Sequence, residues 1–462
     1  MPAHHCPQSR AGGGFRGDRG RYQGGRCRDR LQRGLSAGCT GCAGRGKRAA
    51  AAKRRTIELP AARRVQPGCP ARRDALAAVA TTRQGPGTRI AEVNIELLRA
   101  TGLRCFEHVA FAPGPGVNWL IGPNGVGKTT LLEAAYILSH GRSFRAGGRT
   151  APLRHGAKDY LVYAEITRRD RPRIRLGLAR TEERWVAHAN GESLASLAPL
   201  FAACPVVYFG PESQALNLGP AEERRGFLDW SVFHVEHASL ELWRAWRRAL
   251  RQRNTLLRQN ARASDFPPWE HELGRLASRI HALRQRCLEG LEPYISEEAA
   301  ILVPELGKVH VDYRPGWDEQ LGLAEQLASA RDRDRERGFS RYGAHRADWS
   351  LVFDGIAQRE HLSRGQAKAA ALVCVLAQTR WLKESIGEFP LLCLDDLESE
   401  LDAPHATSII KWLSERRIQS WLTSTRPIDS IPFVEGARVF HVKQSSCELV
   451  NGSRPEERHE TV

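Results

Sequence analysis

The feature that most constrains this chain is a glycine-rich segment directly after a short apolar run. The apolar run is Val117 to Ile121, and the segment that begins at Gly122 reads Gly-Pro-Asn-Gly-Val-Gly-Lys-Thr-Thr. It matches the P-loop pattern of a glycine, four residues and then Gly-Lys-Ser/Thr. A strand, a phosphate-binding loop and a helix follow one another in this way in α/β nucleotide-binding domains. The sequence therefore predicts an α/β fold that binds a nucleoside triphosphate.

Each residue type in this loop has a physical role. Glycines let the backbone turn tightly and bring its N–H groups against phosphate oxygens. Lys128 is expected to reach the β- and γ-phosphates as a catalytic cation, and the Thr129 hydroxyl is expected to bind Mg²⁺. The run from Thr130 to Leu138 is predicted to be a helix with its positive end toward the phosphates. The predicted nucleotide-binding residues are Gly122, Pro123, Asn124, Gly125, Val126, Gly127, Lys128, Thr129 and Thr130.

The positive charge is concentrated at one end of the chain. Of a net charge of +17, residues 1–92 account for most, with 20 Lys and Arg against 5 Asp and Glu. This Arg-, Gly- and Ala-rich stretch has no helical or strand period, so we predict a disordered extension. Three interpretations stay open: a basic tail that holds nucleic acid, a targeting peptide, or upstream sequence translated from an early start codon. Cys39-Thr-Gly-Cys42 near His4, His5, Cys6 and Cys27 is only a weak zinc pattern.

Composition places the rest of the chain among large globular proteins. The 462 residues are 41% apolar, enough for two or three domains, and no apolar run reaches the ~18 residues of a membrane span. The eleven cysteines form no regular framework. We therefore expect a cytoplasmic protein with no membrane segment and no structural disulfides.

Short β-like runs surround the P-loop, and a long helical region follows them. Ile95–Leu98, Val109–Phe111, Tyr160–Ile166 and Ile174–Leu178 are predicted strands of a small sheet lobe. Between about 220 and 300 the pattern is helical, with a break at Pro267-Pro268. One helix there has a basic face, from which we select these DNA-binding candidates: Arg244, Arg247, Arg248 and Arg251. Arg253 and Arg258 are assigned to the same face, and an ordinary solvated surface is the alternative.

Residues 331–338 read Arg-Asp-Arg-Asp-Arg-Glu-Arg-Gly. Because the charges alternate in sign along this stretch, we predict a solvated helix face there.

A second set of motifs supplies the remainder of a nucleotide site. Ser363, Arg364, Gly365 and Gln366 precede a helical run and are expected to receive phosphate. The apolar run Leu391–Leu394 ends in two acids. Asp395 is expected to hold the metal and Asp396 to act as general base. The segment Leu422–Thr425 is expected to follow another apolar strand and to sense the γ-phosphate.

In this order the motifs resemble the ABC-type ATPase heads of the SMC and Rad50 group and, within that group, the RecF family of bacterial recombinational-repair proteins. The resemblance covers Val93 to about Val442. Besides the P-loop it rests on Gly141-Arg-Ser-Phe-Arg145, Arg224-Arg-Gly-Phe-Leu-Asp-Trp230, Gln252-Arg-Asn254, Gly343-Ala-His-Arg-Ala-Asp348, Leu362-Ser-Arg-Gly-Gln366, Leu394-Asp-Asp396 and Ser399-Glu-Leu-Asp402.

The resemblance implies an ABC/SMC-type P-loop ATPase head with an appended sheet lobe and an inserted helical arm. The head would comprise 93–210 and 335–445, the arm 211–334, and a polar tail 446–462. ATP with Mg²⁺ would be held between two copies, with Lys128, Thr129 and Asp395 acting in cis and the turn from Ser363 to Gln366 in trans. Asp402 and Thr425 would be the D-loop and switch residues.

For function, the resemblance implies a homodimer that forms on ATP at junctions between duplex and single-stranded DNA. A weak, DNA-dependent ATPase would release the dimer, and RecR and RecO would be its partners in loading the recombinase RecA onto gapped DNA. The alternatives are a transporter-type ABC subunit and a DNA clamp without turnover. The transporter is disfavoured because about 230 residues separate the P-loop from Ser363.

The sequence departs from the family pattern in four places. Leu103-Arg104 stands where the family has Phe-Arg, a position that places the usual start near Val93. The segment 211–220 is one residue short. No glutamine follows Phe144-Arg145, where some relatives have a metal-side glutamine, and Asp396 is shorter than the usual glutamate, which is consistent with slow turnover.

Overall fold

The computed structural model describes residues 91–145, 147, 150–168, 171–181, 184–356, 361–401, 403–427, 434–444 and 446–450. The predictions for residues 1–90, including the zinc pattern, lie outside the described residues, as do Asp402 and the end of the polar tail. Within the predicted extension, Ala91–Glu92 is already a strand, paired in parallel with Glu388–Phe389. The ordered backbone therefore includes two residues before Val93.

The described chain alternates between strands and helices. The strands are β1 Ala91–Glu92, β2 Asn94–Leu103, β3 Phe106–Phe111, β4 Val117–Ile121, β5 Asp159–Arg168, β6 Arg171–Thr181, β7 Trp185–Ala189, β8 Glu192–Ser193, β9 Val206–Phe209, β10 Val309–Arg314, β11 Asp348–Phe353, β12 Glu388–Phe389, β13 Leu391–Leu394, β14 Ser420–Ser424, β15 Arg438–Val442 and β16 Cys447–Val450. The helices are α1 Lys128–His140, α2 Ala198–Ala203, α3 Ala215–Leu218, α4 Ala221–Val235, α5 Ser239–Arg258, α6 Pro267–Leu302, α7 Leu323–Ser329, α8 Arg331–Arg337, α9 Arg364–Ile386, α10 Leu397–Glu400 and α11 Ala403–Glu415.

The central sheet has the strand order β16–β15–β4–β14–β13–β9, and all of its pairings are parallel except that of β16 with β15. The predicted strands Val117–Ile121 and Leu391–Leu394 are confirmed, and all their residues are buried. Continuous apolar runs of this kind are typical of parallel strands covered on both faces. The sheet therefore forms the middle layer of the head.

A second, antiparallel sheet forms the predicted sheet lobe, in the order β3–β2–β5–β6–β7–β8. Its strands are longer than predicted, because alternating buried and half-buried positions continue beyond the apolar runs, as in Asp159–Arg168. The helix α1 packs between the two sheets: its Leu131 and Leu138 share one hydrophobic core with Val162 of the lobe and Trp421 of the central sheet. The lobe thus braces the helix that follows the P-loop.

The predicted helical region consists of α4, α5 and the 36-residue α6. Pro267-Pro268 occupies the first turn of α6, where a missing N–H does no harm. The first half of α6 packs with α5 and α7 through Leu273, Ile280 and Trp246. Its second half enters the head core through Leu288 and Leu291. One continuous helix therefore joins the arm to the head.

The prediction of a solvated helix face at 331–338 is wrong in part: α8 exposes Asp332, Arg333, Glu336 and Arg337 but buries Asp334. In α8, Asp334 is fully buried and lies 2.8 Å from the Arg253 guanidinium, which is also fully buried. Arg253 lies 3.3 Å from Glu270, and Glu270 in turn pairs with Arg331. The assignment of Arg253 to the basic face of α5 is also wrong, because its guanidinium pairs with these carboxylates inside the arm.

Among the described residues, none of the helices is sufficiently long and apolar to cross a membrane.

Candidate functional site

Four parallel strands of the central sheet end at the same edge, and the candidate site is built there. The P-loop follows β4, Asp395 and Asp396 follow β13, and Thr423 lies near the end of β14. Gly210 follows β9, at the end of the sheet that lies beside β13. Because the carboxyl ends of parallel strands meet at one edge, residues far apart in sequence come together here.

The P-loop has the backbone conformation that its glycines predict. Gly122 and Gly127 have φ values of 152° and 114°. A Cβ on Gly127 would lie 2.4 Å from the Phe106 ring, and one on Gly122 would lie 2.7 Å from the Val442 carbonyl oxygen. The helix α1 starts directly afterwards, with no side-chain cap on its first turn. Its first N–H groups are therefore available to phosphate oxygens.

Lys128 lies over this loop. Its Nζ donates hydrogen bonds to the carbonyl oxygens of Gly122 at 2.6 Å and Pro123 at 2.9 Å. Burial lowers the pKa of Lys128, while the nearby Asp396 and Asp395 carboxylates act in the opposite direction. The ammonium group is thus held at the mouth of the P-loop, where the role predicted for it requires it to be.

Asp395 connects the acidic strand end with the P-loop. Its Oδ1 accepts hydrogen bonds from Thr129 Oγ1 at 2.9 Å and from Thr423 Oγ1 at 2.7 Å. Burial raises the pKa of Asp395, and the hydrogen bonds from Thr423 and Thr129 lower it. The structure therefore brings together the two residues predicted to hold the metal.

Oxygen donors of this kind suit Mg²⁺. A threonine hydroxyl and a carboxylate are the hard ligands that Mg²⁺ prefers, usually with several retained waters and phosphate oxygens. In the described part of the chain, no group of three or more His, Cys, Asp or Glu side chains is placed to hold a metal ion. Waters and phosphate oxygens would therefore supply the other ligands. When bound, Mg²⁺ would be held by Thr129 and Asp395 and would neutralise charge on the phosphates.

The second acid and the switch segment differ in detail from the prediction. Asp396 is a non-glycine residue with φ of 54°, and its N–H donates to Thr423 Oγ1 at 2.8 Å. The prediction that Leu422–Thr425 follows a strand is wrong in part, because β14 extends through Ser424. Thr425 is exposed just beyond the strand, and its switch role stays a prediction. Sequence reasoning missed Thr423, which contacts both acids.

Two further residues on the metal side were also missed. The Tyr208 hydroxyl donates to Glu212 Oε2 at 3.0 Å and lies 3.5 Å from Asp395 Oδ2. Both residues line a cavity of about 570 Å³, whose wall also includes Phe144 and Arg145. The missing glutamine left this side unassigned in the sequence. These residues can be found from the rule that ligands bind at the carboxyl ends of parallel strands, since they lie in and just beyond β9.

The turn from Ser363 to Gln366, which the family resemblance identifies as the ABC signature turn, caps helix α9. Ser363 Oγ accepts from the Gln366 N–H at 3.2 Å, and Gln366 Oε1 accepts from the Ser363 N–H at 3.0 Å. This reciprocal pair is a capping box. Ser363, Arg364 and Gly365 are exposed, so the turn is open to a second molecule. A hydroxyl that accepts from its own helix keeps its proton for an outside acceptor.

The DNA-binding candidates lie on the exposed side of α5. Arg244, Arg247, Arg248 and Arg251 are all exposed, and Arg244 pairs with Glu241 at 2.6 Å. The opposite side of the helix carries Trp246 into the arm core. A basic stripe is therefore present on the arm, although its contact with DNA stays a prediction.

The fold and the site together define a P-loop ATPase head of the SMC-like ABC type. The model of the RecF/RecN/SMC N terminal domain family matches residues 94–446 of this chain. The chain belongs to the RecF family. The predicted fold class and the family resemblance are thereby confirmed.

Curated relatives match over most of the chain. The DNA replication and repair protein RecF of Stenotrophomonas maltophilia (strain R551-3) is 40% identical over 363 residues, which cover 78% of this chain and 100% of the relative. The protein of the same description from Thioalkalivibrio sulfidiphilus (strain HL-EbGR7) is 35% identical over 356 residues, 76% of this chain and 98% of the relative.

Solved structures agree with this assignment. Two structures of the recombination mediator protein RecF, described as RecF-ATP and RecF-ATPrS in the RecFOR pathway, superpose with TM-scores of 0.71 and 0.69. Each is 25% identical and covers 78% of this chain, with 100% and 99% of the solved chain covered. These matches favour a repair protein over a transporter subunit.

Proposed function

We propose that this chain is a DNA replication and repair ATPase that binds MgATP between two copies of itself and thereby closes on DNA. The observation that carries the proposal is the hydrogen bond of 2.9 Å between Thr129 and Asp395, which joins the phosphate loop to the acidic strand end. Half of a triphosphate site is thus assembled within one chain. The exposed signature turn at Ser363 would supply the other half from a second copy.

In this proposal the chain's own groups do the following work. Lys128 and the first N–H groups of α1 bind the β- and γ-phosphates, and Thr129 and Asp395 hold Mg²⁺. Asp396 orients and deprotonates the attacking water as general base. The Ser363 hydroxyl and the amino end of α9 approach the γ-phosphate from the partner copy. Binding of ATP therefore stabilises the dimer.

Family membership supports the biological setting proposed here. The dimer would bind duplex DNA next to single-strand gaps, hydrolyse ATP slowly, and assist loading of recombinase with RecR and RecO as partners. A clamp without turnover is the second candidate, favoured by the Asp396 side chain, which is shorter than the usual glutamate. Both candidates need ATP for dimerisation.

The testing experiment is sedimentation of the full chain with and without MgATP, and with and without gapped duplex DNA. We expect a monomer without nucleotide, a dimer with MgATP, and a further shift toward the dimer on gapped DNA. Lys128→Ala is expected to stay monomeric. A chain that remains monomeric with MgATP and DNA would contradict the proposal. Phosphate release under the same conditions separates an ATPase from a clamp without turnover.

A further inference from the structure

The two oxygens of the Asp395 carboxylate have different surroundings. Oδ1 accepts from both Thr129 and Thr423, at 2.9 Å and 2.7 Å. Oδ2 faces the Tyr208 hydroxyl at 3.5 Å, well beyond the usual O–H···O distance of about 2.7–2.8 Å. Oδ2 is therefore the oxygen with lone pairs left for a metal or its water.

The Tyr208 hydroxyl has a single proton to donate. Glu212 Oε2, at 3.0 Å, is the nearer of its two carboxylate neighbours and accepts the hydrogen bond from the hydroxyl. A tyrosine hydroxyl is protonated at neutral pH, and with one proton it donates to one carboxylate at a time.

The position of the ring is fixed by its neighbours. Phe144 stacks on Tyr208 with the ring centroids 3.7 Å apart and the planes 12° from parallel. A Cβ on Gly210 would lie 2.1 Å from the Tyr208 hydroxyl oxygen and 3.0 Å from Asp395 Cβ. The glycine thus leaves the space in which the hydroxyl lies beside Asp395. A rotation of the O–H bond therefore determines whether Glu212 or Asp395 accepts its hydrogen bond.

We infer that Glu212 is a positioning residue for the metal site: it accepts the hydrogen bond of the Tyr208 hydroxyl, so that one oxygen of Asp395 stays free for Mg²⁺. Without Glu212, the hydroxyl turns to Asp395 Oδ2, reduces the negative charge available to the metal and competes with its water. This inference rests on the proposed function, because it assigns a role within the same MgATP site. In the absence of Glu212, the Tyr208 hydroxyl therefore weakens binding of the metal.

The test measures Mn²⁺ affinity by electron paramagnetic resonance, with the full chain and a non-hydrolysable ATP analogue. Glu212→Ala is expected to weaken Mn²⁺ binding about fivefold, the size of one typical net hydrogen bond. Tyr208→Phe is expected to stay within about twofold of the parent, because Oδ2 remains free. The Tyr208→Phe, Glu212→Ala double variant is expected to return to the affinity of Tyr208→Phe.

Two variants serve as controls. Glu212→Gln keeps a carbonyl acceptor for Tyr208 but removes the charge, so it is expected to bind Mn²⁺ nearly as well as the parent. Tyr163→Phe removes a comparable tyrosine–glutamate hydrogen bond, 2.9 Å long, from the sheet lobe and is expected to change nothing. Binding of the analogue in EDTA reports whether each variant still folds its P-loop, and it is expected to be the same in all of them.

The outcomes are distinguishable. If the double variant binds Mn²⁺ as weakly as Glu212→Ala, Glu212 does not act through Tyr208 and the inference fails. If Glu212→Gln is as weak as Glu212→Ala, its charge alone is responsible and the inference fails as well. If the parent chain binds the analogue without any Mn²⁺ dependence, the proposed function fails, and the inference fails with it.

Discussion

At the scale of single residues, Thr423 is the link between the two acids. Its hydroxyl donates to Asp395 at 2.7 Å and accepts from the Asp396 N–H at 2.8 Å, and the side chain is buried. It therefore holds Asp396 in a backbone conformation that non-glycine residues seldom adopt. The geometry of both acids depends on one hydroxyl.

Thr423→Val keeps the shape of this side chain and removes its hydroxyl. We expect a loss of about 1–3 kcal/mol in the free energy of unfolding, because the Asp396 N–H loses its acceptor. Single-turnover hydrolysis of ATP is expected to slow at least about tenfold, on the scale of one such hydrogen bond. Urea denaturation and rapid-quench assays measure the two effects. Thr423→Ser, which retains the hydroxyl, is the control and is expected to keep most of both properties.

Sequence alone reaches this site only in part. The P-loop, Asp395 and the signature turn are local patterns, so their positions follow from residue type and spacing. Thr423 was missed in favour of Thr425 because strand β14 continues over Thr423 and Ser424, two polar residues beyond its apolar Trp421-Leu422. Tyr208 and Glu212 have no motif of their own, and only the pairing of β9 with β13 brings them to Asp395. Such long-range contacts depend on sheet order, which spacing does not determine.

At the scale of elements, the arm is held by buried ion pairs as well as by apolar packing. The Arg253 guanidinium, fully buried, donates to Asp334 at 2.8 Å, to Ser340 at 2.7 Å and to the Leu327 carbonyl oxygen at 2.8 Å. These partners lie 74 to 87 residues further along the chain, in α7, in α8 and in the loop that follows α8. One side chain of α5 thus ties together the helices and the loop at the end of the arm.

Arg253→Met is expected to destabilise the arm by about 3–5 kcal/mol, because it leaves buried carboxylates without their partner. The matched control is Arg251→Met on the same helix. Arg251 is exposed, so its replacement is expected to change stability by less than about 0.5 kcal/mol. Urea denaturation followed by tryptophan fluorescence measures both, since Trp246 lies in the arm core. Equal effects of the two substitutions would contradict the buried network.

Substitutions on the exposed side of α5 test the DNA-binding prediction separately from the stability of the arm. Replacing Arg244, Arg248 and Arg251 by glutamine removes three exposed charges from one stripe of α5. If each contacts a phosphate, the slope of log affinity against log salt is expected to fall by about 0.9 per contact. Fluorescence anisotropy with gapped duplex DNA measures this slope. The control replaces three exposed arginines of the sheet lobe, Arg99, Arg173 and Arg175, by glutamine. An equal fall of the slope in this control would argue against a DNA contact by the arm.

At the scale of the whole molecule, α6 connects the arm to the signature helix. Its second half packs against α9 so closely that a Cβ on Gly290 would lie 2.4 Å from Trp381 Nε1. Arg380 of α9 pairs with Glu298 of α6 at 2.7 Å. Two motifs of the family resemblance strengthen this junction, since Arg224 of α4 binds Asp348 of β11 at 2.7 Å and 3.0 Å. The arm is therefore joined through α6 to the helix that Ser363 caps.

A composite site between two copies makes a quantitative prediction for mixtures of variants. Lys128→Arg impairs the P-loop, and Ser363→Arg places a bulky cation on the exposed signature turn; each homodimer is expected to lack turnover. In an equimolar mixture half of the dimers are mixed, and each mixed dimer has one intact site of two, so activity is expected to recover to about a quarter of the parent value. Steady-state phosphate release with gapped DNA measures it.

The control mixes Lys128→Arg with the Lys128→Arg, Ser363→Arg double variant, a combination in which no dimer contains an intact site. It is expected to remain inactive at the same total concentration. Recovery in this control would show that Lys128→Arg retains turnover, so that activity in the first mixture does not report a composite site. Absence of recovery in the first mixture, with mixed dimers demonstrated by differently tagged copies, would show that the P-loop and the signature turn do not meet across a dimer. That second result would reassign the exposed turn at Ser363, because its capping box would then serve the stability of α9 alone.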